Sequence, residues 1–476
     1  MPQNTISFIF NNQIKEIDFV KSGLAPTTTV LQYLRSLPSY KGTKEGCAEG
    51  DCGACSVVIA EAKNEKIQYN AYDSCLIFLP MLQGKQLITV EDLGSASNLH
   101  PVQKAMVDTD GSQCGYCTPG FIMSLFALYK NSNEIDEAQI DDYLTGNLCR
   151  CTGYRPIVDA AKIIAVADKK DVFSENETAT LALFKEMEIL EAVVINTSTQ
   201  VYLQPKTIEA FIAQKIKAPE ALLVNGATDV GLMVTKQRKL LTNIIDISRI
   251  PDLTSIEESE KEITYGAGLD LESLRTHSEE VFPALFDMLT VFGSRQIRLI
   301  GTLGGNVANA SPIGDLPPVL MAYKATIKLA GKDGFRTLPI SEFITGYRTT
   351  DLKNDELIYA VIIPKETSNT QYKSYKISKR KDLDISTVSG GFRLALNAKN
   401  EVEDLVLFYG GMAATTKNAD SATAFLIGKS WTRDHVEQAM ELIKTEFTPI
   451  SDARASAAGR TVMAANLLLK FWTDTI

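Results

Sequence analysis

Apolar and polar residues alternate along the start of the chain, from residue 5 to residue 18. The alternation is interrupted at Asn11-Asn12, and an Asn-rich turn between two alternating runs predicts a β-hairpin. The apolar spacing then becomes helical over 28–37. Short apolar runs predict further strands, at 56–60 and 87–90. These are the elements of a small β-grasp domain.

The apolar period is helical again from residue 100. Four helices are predicted, at 101–109, 119–130, 134–145 and 154–167. Polar and charged residues dominate 168–195, which indicates a linker with a short helix at 181–191.

Strands and helices are mixed in the rest of the chain, which predicts an α/β region from residue 196. A short strand at 222–224 runs into a turn of small residues and then a helix. A strand at 356–363 is expected to stop at Pro364. Further on we expect strands at 391–396 and 403–409 and helices at 434–446 and 454–471.

Length and charge limit the possible functions. A chain of 476 residues corresponds to about three domains at roughly 150 residues each. The net charge of −10 argues against a nucleic-acid-binding protein. No apolar run approaches the roughly 18 residues of a membrane span, and the N-terminus does not have the pattern of a secretory signal. The expected location is the cytoplasm, where thiols stay reduced.

All eight cysteines lie between Cys47 and Cys151. The first three are spaced C-x4-C-x2-C, which is the plant-type ferredoxin pattern for a [2Fe–2S] cluster, and a fourth cysteine follows. Three glycines in the same loop allow the backbone to approach the sulfurs closely. A zinc site, a disulfide pair and a chance cluster are the alternatives. The proposed ligands of this first set are Cys47, Cys52, Cys55 and Cys75.

The remaining cysteines form a C-x2-C pair and a C-x-C pair, each just before a predicted helix. Thr118 is expected to cap one helix, with Pro119 in its first turn, and the 153–156 segment opens the other. The positive end of a helix suits an anionic tetrathiolate cluster. The spacing favours iron–sulfur over zinc, which more often uses C-x2-C twice. The proposed ligands are Cys114, Cys117, Cys149 and Cys151. The three histidines are far apart and are expected to be surface or capping residues.

Two segments of small residues, 225–231 and 301–315, are candidates for binding phosphate. Such segments expose backbone N–H groups, and the second adds several hydroxyl and amide side chains. Neither segment is a G-x-G-x-x-G fingerprint, so a Rossmann domain is not predicted. Two such segments in one region favour a large cofactor that carries phosphate.

The motifs together resemble a known family. They are Gly46-Cys-Ala-Glu-Gly-Asp-Cys-Gly-Ala-Cys55, Gln113-Cys-Gly-Tyr-Cys-Thr-Pro-Gly120, Cys149-Arg-Cys-Thr-Gly-Tyr-Arg-Pro156 and Gly304-Gly-Asn…Asp315. The chain resembles the iron–sulfur/FAD subunit of molybdenum hydroxylases, the xanthine oxidase family. The similarity is greatest to the small subunit of two-chain bacterial xanthine dehydrogenases.

The resemblance implies a multidomain α+β fold. Its parts are a β-grasp ferredoxin-like [2Fe–2S] domain at 1–92, an all-α four-helix [2Fe–2S] domain at 93–167, a linker at 168–195, an FAD-binding α+β domain of the vanillyl-alcohol-oxidase type at 196–368 and a C-terminal α+β cap at 369–476.

The resemblance also implies positions that contact FAD. They are Leu223, Val224, Gly226, Ala227, Thr228, Asp229, Phe292, Thr302, Gly305, Asn306, Asn309, Ser311, Asp315, Ile358 and Lys376. Phe292 is expected against the isoalloxazine. Tyr347 is expected on the side that receives NAD. Eukaryotic members often have Asn and Glu at positions 227 and 229, so backbone contacts are expected there.

By resemblance, electrons pass from a molybdenum centre through two [2Fe–2S] clusters to FAD and then to NAD⁺. The reaction is the oxidation of hypoxanthine or xanthine to urate. Nothing in the sequence resembles a molybdopterin-binding domain, so the implied partner is a large molybdopterin-binding subunit in an (αβ)2 heterotetramer. An aldehyde oxidoreductase or another azaheterocycle hydroxylase of the same design is an alternative. A zinc-stabilised scaffold without redox function is an alternative of another class.

Overall fold

The computed structural model describes residues 4–187, 192–365 and 369–476. The chain divides into two compact units. Unit 1 consists of Met1–Lys206, Glu220–Arg249 and Ser294–Ile300. Unit 2 consists of Thr207–Pro219, Ile250–Gly293 and Gly301–Ile476. Part of the predicted 181–191 helix (188–191) and the expected end of the FAD domain (366–368) lie outside the described residues.

The predicted N-terminal hairpin is confirmed, with Thr5 opposite Asp18 and Phe10 opposite Gln13. Asn11 and Asn12 take φ values of 54° and 55°, the left-handed conformation that a two-residue type I′ turn requires. The hairpin is the edge of a five-stranded sheet that also contains the strands at 56–60 and 87–90. In spatial order its strands are Gln13–Asp18, Thr5–Phe10, Gln86–Ile88, Ser56–Lys63 and Lys66–Asp73.

The strand expected at 87–90 is shorter than predicted. It ends at Ile88, because Thr89 and Asp92 form a capping box that starts a helix at Val90. The predicted helix at 28–37 is confirmed and begins after the capping residue Thr29. The helices of this region are Phe19–Ser22, Val30–Ser36 and Val90–Leu93, with a 3₁₀ turn at Leu79–Leu82.

The four predicted helices that follow are confirmed, at Pro101–Asp108, Thr118–Asn131, Glu137–Leu144 and Arg155–Ala165. The expected linker is more ordered than predicted, because it contains the helices Val172–Glu175 and Glu177–Glu186. Phe173 and Phe184 pack into the same core as the four helices. Asp171 accepts from His100 at 3.1 Å and from Lys130 at 2.9 Å. The segment is therefore held against the helical core by apolar contacts and a buried ion pair.

The rest of unit 1 contains a four-stranded sheet and two helices. The predicted strand Leu222–Val224 is confirmed, and it runs parallel to Asn243–Asp246. In spatial order the strands are Val193–Asn196, Val201–Gln204, Asn243–Asp246 and Leu222–Val224, and the helices are Val230–Thr235 and Arg295–Ile300.

Unit 2 contains two main sheets with separate apolar cores. The first has the spatial order Ile256–Glu258, Glu262–Gly266, Leu357–Pro364, Thr326–Gly331 and Gly334–Pro339, and a small ribbon joins Ile344–Gly346 to Thr349–Thr350. The predicted strand at 356–363 is confirmed within it. Helices of this part are Ile208–Lys217, Leu271–Val281, Pro283–Thr290, Leu303–Ala308, Leu316–Ala322 and Ile340–Phe343.

The C-terminal sheet contains the strands predicted at 391–396 and 403–409. Its strands are Thr370–Ile377, Val388–Leu396, Val402–Gly410 and Lys417–Asn418, in that spatial order. Three helices cover it, at Asp420–Leu426, Arg433–Glu446 and Ala457–Thr475. The last helix begins three residues later than expected, because Ser456 caps it by accepting the Gly459 N–H.

Candidate iron–sulfur and flavin sites

The four cysteines of the first set lie in unit 1 on one loop and one turn. Cys47 contacts Cys52, and Cys55 contacts Cys75, so the sulfurs approach each other in two pairs. The Glu49 and Asp51 N–H groups donate to the Cys47 sulfur at 3.4 and 3.3 Å. The loop is therefore shaped to place backbone donors beside thiolates.

Two of the glycines in this loop show why a side chain would not fit there. A Cβ at Gly46 would stand 2.7 Å from the Cys52 sulfur. Gly53 has a φ of 65°, and a Cβ there would stand 2.4 Å from the Gly146 carbonyl oxygen. Contact with Cys52, together with the Glu49 and Asp51 N–H groups, lowers the pKa of Cys47 to about 5. The same contact raises the pKa of Cys52, so the pair holds one thiolate beside one thiol.

Asp73 is a buried carboxyl beside this loop that the sequence did not identify. It accepts from the Cys55 sulfur at 3.7 Å, while its second oxygen is buried without a hydrogen-bond partner. Burial raises its pKa well above the usual range, and the nearby Cys47 adds to the effect. No local sequence signal marks this carboxyl, because a strand-ending Asp is common in turns.

The second set of cysteines is also paired. Cys114 and Cys151 are exposed, with their sulfurs 3.6 Å apart, and Cys117 contacts Cys149. The expected cap on one helix is wrong, because Cys117 occupies the N-cap position and Thr118 is already helical. The Thr118 hydroxyl instead donates to Ser112.

The pairing of the thiols bears on the choice between zinc and a two-iron cluster. A structural zinc needs four ligands around one point, whereas each iron of a [2Fe–2S] cluster takes two protein ligands. Two pairs of thiols in each set therefore fit the two-iron group better.

The two cysteine loops contact each other within unit 1. The Leu148 N–H, next to Cys149, donates to the Cys52 carbonyl at 3.0 Å. A Cβ at Gly120, near the start of the helix after Cys117, would stand 2.0 Å from the Gly53 carbonyl oxygen. Only glycine permits this approach, so the two loops are built to lie against one another.

The first flavin segment also lies beside the ferredoxin-type loop. Lys236, at the end of the Val230–Thr235 helix, donates to the Cys47 carbonyl at 3.0 Å and pairs with Glu49 at 3.1 Å. Leu232 and Ile297 pack against the buried Cys55, Cys75 and Leu76. The 223–229 segment that precedes this helix is therefore held near one cysteine set.

Side-chain burial in the first flavin segment limits what each residue contacts. The side chains of Val224 and Ala227 are in the apolar core, and Asp229 is exposed. Gly226 and Ala227 have φ values of 83° and 70°. These two residues offer backbone rather than side-chain contacts, while Leu223 and Thr228 are half-buried.

The second flavin segment lies in unit 2. Thr302 caps the short helix Leu303–Ala308 by accepting the Gly305 N–H at 3.2 Å. A Cβ at Gly304 would stand 2.6 Å from that of Ala267, so the segment packs closely on its own unit. The Asn306 side-chain oxygen is buried without a hydrogen-bond partner, which is a place for a donor from a ligand. Asn309 accepts from Arg348 at 2.9 Å, and Ser311 is half-buried.

A buried ion pair joins two of the predicted flavin residues. Lys376 donates to Asp315 at 2.8 Å, and both side chains are almost fully buried. Ser386, which the sequence did not identify, donates to the other Asp315 oxygen at 2.5 Å. The Lys376 ammonium lies 6.0 Å from the centre of the Phe292 ring. Three predicted residues and one new residue thus form a single cluster in unit 2.

Two predicted residues are not in that cluster of contacts. Ile358 is buried on the Leu357–Pro364 strand, opposite Leu329. Tyr347 is exposed at the turn between the Ile344–Gly346 and Thr349–Thr350 strands.

Among the residues described, no helix combines the length and the apolar character needed to cross a bilayer.

Comparison with known proteins identifies three domains along the chain. Residues 89–162 match a [2Fe–2S] binding domain, residues 195–366 match the FAD binding domain in molybdopterin dehydrogenase, and residues 373–475 match the CO dehydrogenase flavoprotein C-terminal domain.

Individual relatives agree with these domains. Xanthine dehydrogenase 1 of Arabidopsis thaliana is 31% identical over 98% of the chain, which spans 39% of that protein's length. A carbon monoxide dehydrogenase structure from Hydrogenophaga pseudoflava matches 56% of the chain and 94% of its own, with a TM-score of 0.54 and 25% identity. Quinoline 2-oxidoreductase from Pseudomonas putida 86 shares the fold, with a TM-score of 0.54, 22% identity and coverage of 57% and 95%.

The fold, the paired thiols and the matched domains define an iron–sulfur flavoprotein, and the chain belongs to the molybdenum hydroxylase family. Within that family it is homologous to the portion of xanthine and carbon monoxide dehydrogenases that carries the FAD and [2Fe–2S] groups.

Proposed function

We propose that the chain is the electron-transfer subunit of a xanthine dehydrogenase. The observation that carries the proposal is the contact between the two cysteine loops, where the Leu148 N–H meets the Cys52 carbonyl at 3.0 Å. Lys236 ties the same ferredoxin-type loop to the first flavin segment at 3.0 Å. Electrons therefore have a short path along unit 1, and the relatives named xanthine dehydrogenase support the substrate.

The eight cysteines are the proposed ligands of two clusters, four to each. The bound clusters would supply single-electron transfer, and FAD would supply exchange between one-electron and two-electron chemistry, with NAD⁺ as the proposed acceptor. The protein supplies position, burial and hydrogen bonds. The Glu49 and Asp51 N–H groups stabilise the Cys47 thiolate. The buried Cys55 and Cys75 keep water from one half of the site.

The FAD contacts predicted from the sequence remain our proposal for the flavin site. In unit 2, the unpartnered Asn306 oxygen suits a ligand with hydrogen-bond donors. In unit 1, the backbone of Gly226 and Ala227 suits a ligand with phosphates. The ion pair with Asp315 holds the Lys376 ammonium 6.0 Å from the centre of the Phe292 ring. Tyr347, exposed at a turn, is the proposed contact on the NAD side.

We propose that the substrate-oxidising centre lies on a partner chain with molybdopterin. The support is that 94% of the matched carbon monoxide dehydrogenase chain aligns with this one, as expected for a flavoprotein that is a chain of its own. The proposed assembly is an (αβ)2 heterotetramer in the cytoplasm. An aldehyde oxidoreductase or azaheterocycle hydroxylase is the second candidate. The similarity to carbon monoxide dehydrogenase supports this second candidate, because it shows that related flavoproteins belong to enzymes with different substrates.

The test uses the complex purified through this chain under anaerobic conditions. Xanthine and NAD⁺ are added, and NADH is followed by its absorbance. NADH formation supports substrate, partner and acceptor together. Flavin bleaching without NADH would overturn NAD⁺ as acceptor. If dithionite bleaches the protein and xanthine does not, the substrate assignment is wrong, and benzaldehyde, quinoline and carbon monoxide are tried next. A colourless protein with zinc would overturn the redox function itself.

A further inference from the structure

The Asn147 side chain, at the contact between the two cysteine loops, makes all the hydrogen bonds that an amide can make. It is 2% exposed and stands two residues before Cys149. Its Nδ2 donates to the Gly53 carbonyl at 3.1 Å and to the Ser56 hydroxyl at 3.2 Å. Its Oδ1 accepts from Ser124 at 2.6 Å and from Gln296 at 3.1 Å. An amide side chain has no further hydrogen-bonding capacity, so its orientation is fixed.

The residue that Asn147 reaches belongs to the other cysteine loop. Gly53 lies between Cys52 and Cys55 and has a φ of 65°. Its carbonyl also accepts from the Ser56 N–H at 3.1 Å and from the Ser56 hydroxyl at 2.8 Å. Asn147 binds the same carbonyl and the same hydroxyl, so a residue outside the 53–56 turn also stabilises it.

Fixing the Gly53 carbonyl also fixes the next N–H group. A trans peptide is planar, and its carbonyl and N–H point in opposite directions. With the Gly53 carbonyl turned to Asn147, the Ala54 N–H points away from the helical region. That N–H interacts with the Cys52 sulfur. The preceding peptide is held in a similar way, because the Leu148 N–H binds the Cys52 carbonyl.

We infer that Asn147 is a positioning residue that sets the reduction potential of the ferredoxin-type cluster from within the neighbouring helical region. The inference rests on the proposed function, since it takes Cys52 to be a cluster ligand. An N–H beside a ligand sulfur stabilises the extra negative charge of the reduced cluster. Loss of the Asn147 contact leaves the Gly53 carbonyl with its bonds from Ser56 in the same loop. The Gly53–Ala54 peptide is then held less firmly, which weakens that stabilisation. The cluster then becomes harder to reduce.

The test is an EPR-monitored redox titration of the full-length chain with its partner, comparing wild type with Asn147→Leu. Leucine has nearly the shape of asparagine and cannot donate to Gly53. At a fixed solution potential we expect the ratio of reduced to oxidised ferredoxin-type cluster to fall about tenfold. This change corresponds to a reduction potential about 59 mV lower for a one-electron couple. The signal of the cluster held by Cys114, Cys117, Cys149 and Cys151 is expected to keep its potential.

Ser124→Ala is the matched control, because it removes a bond to Asn147 but leaves the Gly53 contact in place. It should leave the ferredoxin-type potential unchanged. If Asn147→Leu does not assemble this cluster, Asn147→Ser is titrated instead, since serine is too short to reach Gly53. An unchanged potential, or a shift of the other cluster alone, overturns the inference. Absence of two cluster signals in the wild type overturns the proposed function instead.

Discussion

Asp171→Asn is expected to release the helical segment 172–186 from the core that it covers. The Asp171 side chain is buried and accepts from Lys130 at 2.9 Å and from His100 at 3.1 Å. Lys130 is itself only 10% exposed, so the substitution leaves a buried ammonium without its counter-charge. Removing one partner of a buried pair costs about 3–5 kcal/mol.

The free energy lost in Asp171→Asn predicts how much faster the backbone amides of this segment exchange with solvent. At about 1.4 kcal/mol for each tenfold change, the loss corresponds to roughly 100- to 4,000-fold faster exchange when exchange proceeds by local opening. The assay is hydrogen exchange read by mass spectrometry for the Glu177–Glu186 helix. Asp108→Asn is the control, because Asp108 pairs with Lys104 on an exposed helix face, where such pairs contribute about 0.3–0.5 kcal/mol.

The pH dependence follows from the same contacts. Although burial acts in the opposite direction, the donors His100 and Lys130 hold the pKa of Asp171 well below its usual range. The stabilisation is therefore complete above the unfolded-state pKa of about 4 and is lost as pH falls through the lower pKa of the folded state. Equal exchange of the helix in Asp171→Asn and Asp108→Asn at neutral pH would refute the reasoning.

Three further substitutions test the two cofactor sites. Gly120→Ala puts a Cβ 2.0 Å from the Gly53 carbonyl oxygen, so the iron content should fall from about four atoms per chain to about two or fewer. The control Gly459→Ala, on the C-terminal helix, should retain all of its iron. Lys376→Met leaves Asp315 buried without its cation at a cost of about 3–5 kcal/mol, so FAD should be lost on gel filtration. Full flavin content would contradict this expectation. Lys373→Met is the control. Cys55→Ser should remove one EPR signal and spare the other, whereas loss of both would show that the cysteines do not form two independent sets.

Elements with local signals were predictable from the sequence. The hairpin at Asn11-Asn12 follows from adjacent residues, because asparagine readily takes the left-handed conformation that both central residues of a type I′ turn require. The four helices after residue 100 follow from apolar spacing. Helix starts were less accurate, since Thr118 had the residue type of a cap but lies one position inside the helix.

Contacts between distant residues were not predictable from local patterns. The polar segment 168–187 resembles a linker until Asp171 is seen beside His100, 71 residues away. Ser386 stands equally far from Asp315 along the chain, and nothing in its surroundings marks it. Family resemblance supplied Asp315 and Lys376. It did not supply Asn147, whose role depends on a partner 94 residues earlier.

The short segment Ser294–Ile300 restricts how this protein can be divided or recombined. It belongs to unit 1, although the residues on both sides of it belong to unit 2. Its Arg295 and Arg298 pair with Asp142, and its Gln296 donates to Asn147. A flavin region exchanged between relatives would bring a foreign copy of these seven residues into a host iron–sulfur region. A chimera therefore keeps these contacts when its junctions lie on both sides of 294–300, so that the segment stays with its own iron–sulfur region.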